Sequence, residues 1–124
     1  MIARPAEGDP RAADVREIIE DLTRRGISAP VLLRFPQLVA GQVRKLQRAF
    51  SKSIREFEYQ GAHMCVYPMK VNQQRAVVEE YLREGSRYDF GLEAGSKAEL
   101  YAAMALEQSP DILLVINGFK DEEF

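Results

Sequence analysis

The feature that most constrains the fold is a repeat of apolar strand, polar turn and amphipathic helix. Its strands end at Lys70, Glu93 and Asn117, 23 and 24 residues apart. That interval accommodates one strand, one crossover helix and the return to a neighbouring parallel strand. Strand one is read over 64–69, strand two over 88–92 and strand three over 112–116. Asn72 is placed to cap a helix carrying Val77, Val78, Tyr81 and Leu82 that stops at Gly85. Ser96 and Glu99 form a capping box ahead of Leu100, Ala103 and Met104. The fold class is therefore α/β, with a parallel βαβαβ core. The apolar residues Val66 and Ile112 to Ile116 suit strands covered on both faces.

Upstream, residues 1–12 are rich in Pro, Gly, Ala and charge without periodicity, and read as a flexible arm. Asp9-Pro10 predicts an N-cap and a first helical proline. Val15, Ile18, Ile19 and Leu22 follow at helical spacing, and Gly26 is a natural stop. The run 30–36, bracketed by Pro30 and Pro36, predicts a short strand. Val39, Val43, Leu46, Phe50, Ile54 and Phe57 then predict a long helix ending near Gly61. This divides the chain into the arm, a helical segment over 13–61, and three β/α units over 62–124. Residues 118–124 read as a turn and the acidic first turn of another helix, so the chain is expected to be truncated. A closed eight-stranded barrel needs roughly 250 residues, and 124 make about half of one.

A formal charge of −2 offers no broad attraction for nucleic acid or anionic lipid, so neither nucleic acid nor membrane is expected as a partner. Arg44, Lys45, Arg48, Lys52 and Arg55 interleave with apolar residues at helical spacing and read as a solvated helix face. The single cysteine, Cys65, excludes an intrachain disulfide and suits a cytoplasmic location. The N-terminus lacks the apolar core of a signal peptide, and no run reaches the length of a membrane span. His63 and Cys65 are too few for a zinc site, so no metal ligand is assigned. Gly91 to Lys97 has three residues between its outer glycines, with Ser and Lys reversed, and is not a Walker loop. No G-x-S-x-G elbow occurs.

The chemical signal is Lys70, at a strand-to-helix junction where open α/β folds and barrels place their chemistry. Behind the apolar Met64-Cys65-Val66-Tyr67, a lysine is expected to lose hydration, and desolvation favours the neutral, nucleophilic amine. That points to a carbonyl partner, a pyridoxal aldehyde being the commonest. Glu93, Ser96 and Asn117 share the same rim in a parallel sheet. Spacing alone is also satisfied by a snorkelling Lys70, a solvated Glu93 and an Asn117 that only forms a turn.

The runs Val66-Tyr67-Pro68-Met69-Lys70-Val71-Asn72-Gln73-Gln74-Arg75, Tyr88 to Leu100 and Asn117 to Glu123 together resemble the biosynthetic arginine decarboxylases. Val31 to Phe35 resembles the segment preceding their barrel, so the resemblance covers about residues 12 to 124. It departs at Met69 and Ala98, where the family pattern has Ile and Pro. The resemblance implies the first part of a PLP-binding (β/α)8 TIM-type barrel with preceding helices. It implies pyridoxal 5'-phosphate held as a Schiff base on Lys70, with Glu93 close to the cofactor, and it admits a magnesium ion. The implied activity is decarboxylation of L-arginine to agmatine and CO2 in polyamine and spermidine biosynthesis, by a homo-oligomer when full length. The phosphate-binding loop, the acid facing the pyridine nitrogen, the histidine stacking on the ring and the product-reprotonating cysteine are expected beyond residue 124. Two alternatives stand beside it: a catalytically inert fragment, and an enzyme of the same barrel family acting on another basic amino acid or as a racemase.

Overall fold

The computed structural model describes residues 1–4, 9–106, 109–122 and 124. Along the chain come β1 (Ile2–Ala3), β2 (Ala13–Asp14), α1 (Val15–Arg24), α2 (Pro36–Glu56), β3 (Val66–Pro68), α3 (Arg75–Gly85), β4 (Gly91–Ala94), α4 (Lys97–Met104) and β5 (Leu114–Ile116). Single 3-10 turns occupy Met69–Val71 and Ser86–Tyr88.

The sheet order β3-β4-β5 is parallel throughout, as the 23- and 24-residue spacing predicts. Val66 pairs with Gly91 and Pro68 with Glu93; Glu93 pairs in turn with Val115. The strands are shorter than the apolar runs that announce them. Pro68 has no N–H for a ladder, so the chain leaves β3 there and tightens into a 3-10 turn. Tyr88 lies in the other 3-10 turn, and Asp89 takes a left-handed φ of 56° before β4 begins at Gly91. A Cβ at Gly91 would stand 1.8 Å from the Leu113 carbonyl oxygen, so only glycine allows this approach of the chains.

Leu92 and Phe90 are fully buried with Met69, Val78, Tyr81, Leu82 and Ala103, and Val43 from α2 closes the same core. Alternation along a strand sends Glu93 to the face opposite Leu92. Arg44 on α2 and Glu84 on α3 form an ion pair of 3.0 Å, which corrects the reading of Arg44 as part of a solvated face. Lys45, Arg48, Lys52 and Arg55 are exposed as expected.

Several local expectations are overturned. Asp9 does not cap a helix, because its carboxylate is taken by the backbone N–H and the guanidinium of Arg11. Those bonds hold it at about 2, below its ordinary 3.8. Helix α1 starts at Val15 instead, capped by Asp14, which accepts from the Arg16 N–H. Gly26, with φ of 79°, follows its end. Within the stretch read as an arm, Ile2–Ala3 pairs antiparallel with Ala13–Asp14, while residues 5–8 lie outside the described residues. Residues 31–35 form no strand: Leu32 is exposed, and none of the described strands pairs with this run. Helix α2 starts on Pro36 and stops at Glu56, before Gly61, with Glu58 in the left-handed region. Asn72 does not cap α3 directly; its Oδ1 accepts from the Gln74 N–H, and α3 starts at Arg75. The described residues of 118–124 form no helix, and Glu123 lies outside them.

Candidate active site

The C-terminal ends of β3, β4 and β5 form one rim. Lys70 sits on it at the tip of the Met69–Val71 turn. Met69, 2% exposed, anchors that turn in the core and leaves the next residue pointing outward. The Lys70 side chain is 62% exposed, which corrects the expectation of a desolvated amine. The apolar approach does not enclose it, since Met64 is itself exposed and Val71 beside it is 70% exposed.

The Pro68–Glu93 register brings the Glu93 carboxylate to the same place. Its Oε1 lies 3.9 Å from Lys70 Nζ. Glu93 is 5% exposed, and neither carboxylate oxygen has a hydrogen-bond partner among the described residues. Such a group is costly unless a donor reaches it.

Ser96 is drawn into the fold. Its Oγ accepts from the Glu99 N–H at 3.2 Å, and Glu99 Oε2 accepts from the Gly95 N–H at 2.7 Å. The expected capping box is present with its return bond shifted by one residue. Asn117 donates its N–H to the Ala94 carbonyl at 3.1 Å. A Cβ on Gly95 would lie 3.1 Å from Asn117 Oδ1, 3.5 Å from Glu99 Oε2 and 3.7 Å from Glu93 Oε1. Glycine therefore keeps open a small oxygen-lined space beside Glu93. Beyond it, Lys97 Nζ meets Asp121 Oδ1 at 3.1 Å, tying the turn after β5 to α4.

Tyr67 was not singled out from the sequence. Its hydroxyl donates to the Asn72 carbonyl at 3.0 Å, bridging the turn that carries Lys70. The available signal was an aromatic three positions before the lysine on a strand. His63 and Cys65 stand apart from this chemistry. His63 stacks on Phe50 with Nδ1 3.3 Å from Gln47 Oε1, and Cys65 is a half-buried free thiol. Among the described residues no three His, Cys, Asp or Glu side chains group to hold a metal.

An aldehyde cofactor needs a primary amine it can reach, and the exposed Lys70 offers one. A carboxylate lacking a donor beside that amine leaves an acceptor free for a group bound next to it. The residues present fit a pyridoxal group. A parallel β/α unit with an accessible lysine at one strand end and a buried carboxylate at the next defines an α/β class that carries its polar groups at the C-terminal ends of its strands. Within that class the chain belongs to the pyridoxal-dependent decarboxylases, whose pyridoxal-binding domain matches residues 40–124.

Over 124 residues the chain is 50% identical to the biosynthetic arginine decarboxylase of Deinococcus radiodurans, covering all of this chain and 18% of that protein. It is 42% identical to the one from Rhodopirellula baltica, again over 18% of its length. The crystal structure of the biosynthetic arginine decarboxylase from Campylobacter jejuni matches with a TM-score of 0.81 at 42% identity. That match covers 88% of this chain and 18% of the other. The chain thus spans less than a fifth of the length of these relatives. No helix among the described residues is long and apolar enough to cross a membrane.

Proposed function

We propose that this chain is the lysine-bearing portion of a pyridoxal-phosphate-dependent decarboxylase converting L-arginine to agmatine and CO2, in the polyamine and spermidine route. The observation that carries the reading is the 3.9 Å approach of the exposed Lys70 amine to the buried, donorless Glu93 carboxylate at adjacent parallel strand ends. Residues 62–124 supply the first three β/α units of a barrel, and 13–61 lead into it. When bound, the pyridoxal group supplies the electron sink that accepts the pair left as the α-carboxylate departs.

Lys70 is the attachment point for the cofactor aldehyde, through Nζ. Glu93 leaves a carboxylate open to accept from a donor brought to the rim. Ser96, Glu99 and Gly95 hold the β4-to-α4 turn clear of that carboxylate. Arginine as substrate is supported by the relatives' names, since no described residue reads a guanidinium group. The magnesium ion is given no ligand among the described residues. A cytoplasmic homo-oligomer is part of the same proposal. Because the phosphate-binding loop, the acid facing the pyridine nitrogen and the reprotonating cysteine are expected beyond residue 124, the 124 residues alone are expected not to release CO2 from arginine.

The test is borohydride reduction of the protein carrying this chain, loaded with pyridoxal phosphate, followed by peptide mapping and a substrate panel. A pyridoxyl group on Lys70 and preference for arginine are expected. Label on another lysine overturns the site, and preference for lysine or diaminopimelate overturns the substrate.

A further inference from the structure

Lys70 has little to hold it. Its side chain is mostly solvated, and the ion pair to Glu93 at 3.9 Å is too long for a hydrogen bond. A lysine carries four rotatable side-chain bonds and much rotamer freedom. The direction of its amine is therefore set by the backbone beneath it. That backbone is one 3-10 turn, whose i→i+3 geometry is intrinsically weak.

Two hydrogen bonds close this turn. Asn72 Oδ1 accepts from the Gln74 N–H on the helix side. Tyr67 Oη donates to the Asn72 carbonyl, from three residues before Lys70 to two residues after it. The phenol does not swing freely: its ring packs on Tyr81 at 4.9 Å between centroids, and Tyr81 in turn stacks near Phe90 and donates to the Cys65 carbonyl. Tyr67 thus connects the hydrophobic core to the far side of the lysine turn.

We propose that Tyr67 is a positioning residue for Lys70, its hydroxyl clamping the Asn72 carbonyl so that the turn presents the amine toward the cofactor aldehyde beside Glu93. The inference rests on Lys70 being the attachment point. Burial raises the Tyr67 phenol above its ordinary value, so the proton stays on the oxygen and the donation persists across the working pH range.

The test compares Tyr67→Phe with Tyr81→Phe in the protein carrying this chain. Tyr67→Phe keeps the ring and removes only the clamp; Tyr81→Phe removes a neighbouring phenol that bonds elsewhere. Without cofactor, amide hydrogen exchange over 70–74 is expected to rise about fivefold in Tyr67→Phe and stay unchanged in Tyr81→Phe, the size of one net hydrogen bond. With cofactor, loss of the visible band of lysine-bound pyridoxal phosphate should be faster by a similar factor, again only in Tyr67→Phe. Unchanged exchange and release in Tyr67→Phe, or equal changes in both variants, overturn the clamp. Borohydride labelling of the wild-type protein separates the two failures. A pyridoxyl group on a lysine other than Lys70 overturns the attachment reading, and the positioning role with it, whatever the exchange shows.

Discussion

Lys70 Nζ and Glu93 Oε1 lie 3.9 Å apart across two parallel strands, one group mostly solvated and the other almost wholly buried. The inequality decides what each contributes. An ion pair with one member in water is screened and worth about 0–1 kcal/mol. A buried carboxylate without a donor costs about 1–3 kcal/mol. Glu93 is therefore a net burden on the fold.

Replacing Glu93 by Gln keeps its shape and removes the buried charge. Glu93→Gln is expected to raise unfolding stability by about 1 kcal/mol in urea titrations while accelerating cofactor loss about tenfold. A variant that is less stable and retains cofactor normally would make Glu93 structural.

The parallel order of β3, β4 and β5 was legible because the periods between Lys70, Glu93 and Asn117 leave room for one helix each. The exposure of Lys70 was not. A strand-end residue is buried or solvated according to what stands across the rim, and the apolar run before it fixes only where the backbone goes. The same distinction explains α2. Its stripe from Val39 to Phe57 predicts the helix, which ends at Glu56, yet only Val43 is buried on it, Phe50 is covered on one side by His63, and Phe57 faces solvent. Periodicity reports the side that is apolar, not whether a partner covers it. Pro30 and Pro36 bracketed a β-like run, but a strand exists only where a neighbour supplies hydrogen bonds. The Tyr67 clamp and the Gly95 opening depend on contacts between turns, which no spacing encodes.

Gly91 and Gly95 look equivalent in sequence and are not. A methyl on Gly91 would meet the Leu113 carbonyl at 1.8 Å, and a backbone atom in a ladder cannot step aside. Gly91→Ala is expected to cost about 3 kcal/mol or more, by overpacking and loss of β4–β5 pairing. At Gly95 the nearest obstacle is the Asn117 side-chain oxygen at 3.1 Å, so Gly95→Ala should cost under about 1 kcal/mol. Its effect should fall on cofactor binding, because the methyl fills the space beside Glu93. Parallel thermal melts and cofactor titrations of the two variants check this, and equal melting losses would refute the distinction.

Another buried carboxylate, Glu84, has a close cation where Glu93 has only the 3.9 Å approach of Lys70. Arg44 Nη1 stands 3.0 Å from Glu84 Oε2, with the Arg44 side chain 32% exposed and Glu84 8%. Arg87, the second cation near Glu84, lies 3.7 Å away and is 68% exposed, so it compensates weakly. Glu84 Oε1 already lacks a hydrogen-bond partner among the described residues. Removing Arg44 would leave the carboxylate buried without a close counter-charge, and Arg44→Ala is expected to destabilise by about 3 kcal/mol. Replacing both residues by methionine should recover most of that loss, since the desolvation cost disappears with the charges. Denaturant midpoints at constant slope measure both steps. If the double variant is as unstable as Arg44→Ala, it is packing between α2 and α3, rather than neutralisation of Glu84, that Arg44 supplies.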